Sequence, residues 1–109
     1  MWSKALTFKL KSGFYPEYKQ AHDDLWPELA QAMAENQVNM VIHHHQERLY
    51  LYVTAPTEGH FDRSHAGEVA DRWMHYMASM MITDDEGKTI MDEMDMSFAF
   101  GRYKEELEE

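Results

Sequence analysis

The spacing of apolar residues changes period several times along the chain, and this alternation limits the folds it can adopt. From Ala5 to Leu10 every second residue is apolar, the pattern of a half-buried strand. From Tyr15 to Met33 apolar residues fall three and four apart, as on one face of a helix. Pro27 interrupts this helix and lacks a backbone N–H, so we expect a kink or a new first turn near Asp23 or Asp24.

Two more strands, a second helix and a last strand follow. The segments 38–45 and 48–55 are extended runs joined at Gln46-Glu47, which predicts a hairpin. Apolar residues at helical spacing mark a helix over 66–80, and alternation marks a strand over 94–100. The order β-α-β-β-α-β predicts an α+β, ferredoxin-like subunit, in which both helices cover one face of a four-stranded antiparallel sheet.

The other face of this sheet is also expected to be covered. Its strands carry large apolar residues in both registers, so the bare face would bind a ligand or the same face of a second copy. A homodimer that closes two sheets into a dimeric α/β barrel meets this need. We expect one domain over residues 1–109, ending in a solvated acidic tail at 104–109.

Charge and composition exclude several classes of function. The net charge of -10 repels phosphate backbones and anionic lipids, so neither nucleic acid nor membrane is an expected partner. No apolar run approaches the roughly 20 residues of a membrane helix, and the start of the chain has no signal-peptide core, which predicts a cytoplasmic protein. Without cysteine the chain has no disulfide, thiolate nucleophile or cysteine metal site.

Tyr18, His22 and Trp26 are spaced four residues apart, so on a continuous helix they would share one face. An imidazole exchanges protons near neutral pH, a phenol adds a hydrogen bond, and an indole offers a flat surface to a sugar ring. These groups suit the interconversion of sugar anomers, which moves protons at the ring oxygen and the anomeric hydroxyl and needs no cofactor. The spacing alone favours a core aromatic stripe, because aromatic residues at helical spacing usually belong to the core.

Residues elsewhere in the chain extend this motif. The stretch Tyr18-x-x-x-His22-x-x-x-Trp26-Pro27-Glu28-Leu29 is followed by Asn39, by Arg72-Trp73-x-x-Tyr76-Met77 and by Phe98. In order and interval these residues resemble the L-rhamnose mutarotase family over nearly the whole chain. The resemblance implies a dimeric α/β barrel that epimerises the anomeric carbon of L-rhamnose, with His22 as proton donor and Tyr18 in contact with the sugar.

Two positions depart from the pattern of that family. Met40 stands where the family has an aromatic residue, usually tyrosine, and Met74 stands where it typically has the second of two tandem tryptophans. Losing a phenol or an indole from a binding pocket costs roughly 1 to 3 kcal/mol, so the preferred sugar is expected to change more than the reaction. The expected site comprises the catalytic His22 with the sugar-binding residues Tyr18, Trp26, Met40, Trp73 and Met74, without cofactor or metal.

The other histidines give weaker signals. In a strand only alternate members of His43-His44-His45 share a face, so His43 and His45 are a minor candidate for a metal site beside an ordinary polar strand end. His60 and His65 show no ligand spacing, and His75 is expected to face solvent. Asp23-Asp24 would raise the pKa of His22 if close to it, although a helix cap is the simpler interpretation.

Three functions therefore remain open. The first is an isomerase, a mutarotase acting on L-rhamnose or a related aldose. The second is a sugar- or metal-binding barrel protein without catalysis, suggested by Met40 and Met74. The third is a dimeric α/β-barrel monooxygenase, for which only the expected fold argues.

Overall fold

Four strands form one antiparallel sheet in the computed structural model, which describes residues 1–107. Their spatial order is β2-β3-β1-β4, the order of a ferredoxin-like sheet. The predicted fold class is confirmed. The strands are β1 (Trp2–Lys9), β2 (Asn39–His45), β3 (Arg48–Ala55) and β4 (Met91–Glu93).

Within residues 1–107, five helices accompany the sheet. Phe8 and Leu49 are partners in the β1–β3 register and face the helices, where they join a buried core with Leu29, Trp73 and Met77. The first four helices lie on this face, whereas the fifth lies on the other, where Tyr103 contacts Tyr52. The helices are α1 (Tyr15–Asp23), α2 (Pro27–Glu35), α3 (Glu58–Ser64), α4 (Glu68–Ala78) and α5 (Arg102–Glu106).

The long helix predicted over residues 15–33 is two helices. Pro27 sterically disfavours helical geometry at the residue before it, and Trp26 accordingly has φ -58° and ψ 131°. Proline is well suited to the first position of a helix, where its missing N–H costs nothing, so α2 begins at Pro27 itself. The new turn thus begins three residues later than the expected position near Asp24, and Trp26 does not share a continuous helix with His22.

The hairpin between β2 and β3 turns at Gln46-Glu47 as predicted. Both residues have positive φ, 52° and 63°, which gives the turn a twist that matches the flanking strands. The Glu47 carbonyl accepts a hydrogen bond from the Leu10 backbone N–H at 2.8 Å. The hairpin is therefore tied to the end of β1.

The last strand differs from its prediction over residues 94–100. β4 pairs with Leu6–Phe8 of β1 and ends at Glu93, after which the Met94 N–H donates to the Ala5 carbonyl at 2.8 Å. Beyond this bond the chain leaves the edge of β1, so the alternating residues have no strand partner within the described chain, and Phe98 and Phe100 are 81% and 79% exposed. The sequence alternates over residues 94–100, but the strand that pairs with β1 lies earlier, at residues 91–93.

Two further helices, α3 and α5, lie outside the segments that were predicted to be helical. The short helix α3 lies where the sequence indicated only a break, and Thr57 caps it by accepting a hydrogen bond from the His60 N–H at 3.3 Å. The expected acidic tail begins inside α5, where residues 104–106 are exposed. Residues 108–109 lie outside the part of the chain that is described.

Candidate active site

A cavity of about 360 Å³ lies between the helical layer and the β2 side of the sheet. Its volume falls in the range of small-molecule sites, which are mostly apolar with a few placed polar groups. Five of the six residues predicted for the site line it, and the exception is Trp26. The lining includes Tyr18, His22, Met40, Trp73 and Met74, together with Tyr15, Lys19, His44 and His65.

His22 is oriented by its own helix. Its Nδ1 lies 3.0 Å from the Tyr18 carbonyl oxygen, one turn earlier on α1. Because a carbonyl only accepts hydrogen bonds, Nδ1 carries the proton and donates it. The neutral ring therefore keeps its lone pair on Nε2, the nitrogen available to a ligand.

Burial lowers the pKa of His22, and this effect outweighs the opposing influences of the Tyr18 carbonyl and of Asp23. The increase expected from a nearby carboxylate is present through Asp23, but burial outweighs it. Asp23 instead pairs with Lys19 at 2.6 Å, and Asp24 accepts a hydrogen bond from Gln20. Both aspartates lie at the C-terminal end of α1, with Asp24 at its C-cap, so neither caps the start of α2 as a helix cap before Pro27 would.

Tyr18 and Trp73 form the aromatic wall around this imidazole. The ring centroid of Tyr18 lies 4.3 Å from that of His22, and Trp73 meets His22 edge-on at 5.2 Å. Burial raises the pKa of Tyr18, so its phenol stays protonated and able to donate a hydrogen bond. Trp73 is only 7% exposed, belongs to the buried core and also lines the cavity.

Trp26 lies behind this wall. Its ring packs edge-on against Trp73 at 5.2 Å and is nearly parallel to Tyr76 at 6.4 Å, while the Arg72 guanidinium lies 5.9 Å from its centroid. The expected face of Tyr18, His22 and Trp26 is therefore split by the break before Pro27. Trp26 packs against Trp73 and does not line the cavity, where a sugar contact was expected of it.

The two methionines are both in the cavity. Met40 enters from β2 beside Ile42, and Met74 enters from α4, where it remains 41% exposed. Flexible, polarizable methionine side chains adapt to irregular ligand shapes. Asn39 and Phe98, which also belong to the family motif, lie outside the cavity: Asn39 is exposed at the start of β2, and Phe98 is on the opposite side of the sheet.

Sequence reasoning missed two histidines of the cavity. His44 faces the helices because it lies in register with Leu49, and its ring stacks on Tyr15 at 3.6 Å. His65 follows α3, a helix that the sequence pattern did not reveal. Side chains alternate along a strand, so His44 lies on the same face as Met40. The sequence could therefore have predicted His44 as a residue of the cavity.

His43 and His45 project from the other face of β2, away from the cavity. Within residues 1–107, no three His, Asp or Glu side chains are grouped closely enough to hold a metal ion. His75 is exposed on α4, as expected. None of the helices described in residues 1–107 is long and apolar enough to span a membrane.

Known proteins resemble the chain over most of its length. A family model for L-rhamnose mutarotase matches residues 3–100. An L-rhamnose mutarotase of Shouchella clausii is 32% identical over 79% of this chain and 86% of its own, and one of Bacillus subtilis is 33% identical over 66% and 72%.

A solved structure agrees with the fold. The L-rhamnose mutarotase of Formosa agariphila superposes with a TM-score of 0.75 at 24% identity, covering 91% of this chain and 98% of that one. Since the family model covers most of the sequence, the chain belongs to the L-rhamnose mutarotase family.

Proposed function

We propose that this protein is a mutarotase that interconverts the α and β anomers of L-rhamnose or a closely related aldose, with His22 as an acid/base residue. The observation that carries the proposal is the position of His22. Its Nδ1–H is held by the Tyr18 carbonyl, and its ring lies beside Tyr18 and Trp73 in a cavity of ligand size. The family assignment supports the same reaction.

The reaction opens and recloses a pyranose ring. In its protonated form His22 carries a proton on Nε2 as well and gives it to the ring oxygen, while a second group accepts the proton of the anomeric hydroxyl, so the bond between the anomeric carbon and the ring oxygen breaks. The resulting aldehyde rotates about its bond to the second carbon, and the reverse transfers close the ring on the other face. Positioned proton transfer of this kind accelerates reactions by roughly 10² to 10⁴.

The lining of the cavity favours a sugar with an apolar end. Leu25, Leu29 and Ile42 join the two methionines there, so a methyl group finds contact more readily than a hydroxymethyl group, whose oxygen needs a hydrogen-bond partner. This supports a 6-deoxy sugar such as L-rhamnose. The Tyr18 phenol and the Lys19–Asp23 pair supply polar contacts for ring hydroxyls.

The proposal includes a homodimer, a single domain over residues 1–109 and a cytoplasmic location. The homodimer is supported by the side of the sheet away from α1 to α4, where Val41 is 45% exposed and Phe98 and Phe100 are mostly exposed. Large apolar residues grouped on one side commonly mark a contact with another protein. A second copy would offer the same surface in return.

Anomer exchange measured by NMR saturation transfer tests this function. We expect wild-type protein to exchange the two L-rhamnose anomers faster than buffer does. The His22→Asn variant keeps a donor near the position of Nδ1 but lacks Nε2, and it should lose at least about 100-fold of the enzymatic rate. The exposed His75 provides the control, because His75→Asn should exchange at the wild-type rate.

The same assay distinguishes the mutarotase from the alternative function, a sugar-binding barrel protein without catalysis. That function would combine saturable sugar binding with exchange no faster than buffer, and Met40 and Met74 are the observations that favour it. Wild-type exchange at the buffer rate for every aldose tried would contradict the mutarotase proposal.

A further inference from the structure

His65 lines the same cavity as His22 but reaches it from another part of the fold. It immediately follows α3, and neighbouring Ser64 and Ala70 border the cavity beside it. The imidazole is partly buried and packs on Phe61, with ring centroids 4.4 Å apart. A second histidine is therefore held at the wall of the cavity.

The orientation of His65 repeats that of His22. The Ser64 hydroxyl donates to the Phe61 carbonyl at 2.6 Å, so its oxygen accepts from the His65 Nδ1–H at 2.7 Å. The Phe61 carbonyl itself lies 3.3 Å from that nitrogen. Both acceptors keep the proton on Nδ1, which leaves the lone pair of the neutral ring on Nε2.

The proposed reaction requires two proton-transferring groups, and His22 supplies one. The ring oxygen must gain a proton while the anomeric hydroxyl loses one. Two imidazoles that share a single extra proton provide both transfers and return to their starting state when the ring recloses.

We propose that His65 is the second acid/base residue, accepting the anomeric hydroxyl proton at Nε2 while His22 protonates the ring oxygen. This inference rests on the proposed mutarotase function. In ring opening, the bond between the anomeric carbon and the ring oxygen breaks, the ring oxygen takes the His22 proton, and the anomeric oxygen gives its proton to His65. In closing, the former ring oxygen attacks the aldehyde carbon and returns its proton to His22, while His65 reprotonates the anomeric oxygen.

His44 is the other histidine of the cavity and is less suited to this role. Its ring is stacked almost parallel on Tyr15, with an angle of 7° between the planes, and the residue is exposed. Water competes for an exposed imidazole and weakens directed proton transfer. His65 combines partial burial with a fixed tautomer, as His22 does.

The pair should give the reaction a bell-shaped pH dependence. Burial lowers the pKa of both histidines. The hydrogen bonds to the Tyr18 and Phe61 carbonyls, and then the nearby Asp23 and Asp62, only partly oppose it. The active form carries one proton between the two rings, so the rate should fall when both are neutral and again when both are charged. The other titratable groups lining the cavity are Tyr15, Tyr18, Lys19 and His44, besides Asp23.

The variant His65→Asn tests this role by exchange NMR. Asparagine keeps an N–H close to the position of Nδ1 and removes Nε2. We expect the rate of L-rhamnose anomer exchange to fall about 100-fold and one limb of the pH profile to disappear. Sugar binding measured by titration and the temperature of unfolding should stay close to the wild-type values, and His75→Asn serves as the matched control.

The outcomes separate this inference from the function on which it rests. If wild type exchanges the anomers and His22→Asn does not, but His65→Asn keeps the wild-type rate and pH profile, the role of His65 is contradicted and the mutarotase stands. If His65→Asn fails to fold, the wild-type protein decides. The titration of the His65 ring nitrogens, followed by NMR, should then coincide with one limb of the rate profile, and a profile that follows His22 alone would overturn the proposal.

Discussion

At the scale of the residue, the chemistry of the site depends on how two imidazoles are held. A backbone carbonyl fixes the tautomer of His22, and a carbonyl with a serine hydroxyl fixes that of His65. The sequence predicted His22 and Tyr18 because their spacing of one helical turn survives within α1. It missed His65 because no periodic pattern connects a residue after a short helix to a distant cavity.

Tyr18→Phe removes the phenol hydroxyl and preserves the ring that packs against His22. We expect sugar binding to weaken by up to about tenfold, because one hydrogen bond is worth roughly 1 kcal/mol. Titration of the variant with L-rhamnose, followed by NMR, measures this change. An unaltered dissociation constant would mean that the hydroxyl does not reach the sugar.

The lowered pKa values of His22 and His65 also predict how stability depends on pH. The unfolded histidines bind protons near pH 6.5, whereas the folded ones resist protonation until lower pH. The unfolded state therefore binds more protons in the window below 6.5, and the free energy of unfolding should decrease as the pH falls through it.

Urea unfolding of wild type at pH 7.5 and at pH 5.5 measures that decrease. The double variant His22→Asn with His65→Asn should lose part of the difference between the two pH values. If the free energy of unfolding decreases equally in wild type and double variant, titratable groups other than His22 and His65 cause the decrease.

At the scale of the element, local chemistry explains where the predictions succeeded. The hairpin and the first three strands follow from alternation, and the core-facing register follows with them. The helix over residues 15–33 was one element in the apolar pattern but two in the structure, because Pro27 determines the backbone of Trp26. Apolar periodicity continues across this break, so the pattern by itself does not reveal it.

The helix α3 depends on its N-terminal cap. Thr57→Ala removes the oxygen that accepts from the His60 N–H and should lower the free energy of unfolding by about 1 kcal/mol. Thr57→Ser keeps that oxygen and should retain most of the stability. Urea unfolding curves of the three proteins provide the comparison, and equal destabilisation by both substitutions would contradict a capping role.

At the scale of the whole molecule, the two sides of the sheet differ in how completely they are covered. The helical side buries a continuous core and contains the cavity. On the other side, α5 covers part of the sheet through Tyr103, and the segment 94–100 leaves two phenylalanines exposed. Because the strands carry apolar residues in both registers, the sequence predicted helices on one side and a covered surface on the other. The pattern of a single chain does not specify what contacts residues 94–100.

If a second copy covers this surface, polar substitutions there should weaken the dimer. We expect Phe98→Ser combined with Phe100→Ser to shift the protein from dimer to monomer at micromolar concentration. Size-exclusion chromatography with light scattering measures the mass. A dimer of undiminished stability in the variant, or a wild-type protein that is monomeric throughout, would contradict the proposed assembly.

The central claim is that His22, fixed by the Tyr18 carbonyl, transfers protons to a sugar in the cavity. Saturation-transfer NMR of L-rhamnose with wild type and His22→Asn, at equal concentration and with both proteins shown to be folded, tests it most directly. The expected result is fast anomer exchange with wild type and a rate near that of buffer with the variant. Equal exchange by the two folded proteins would contradict the claim.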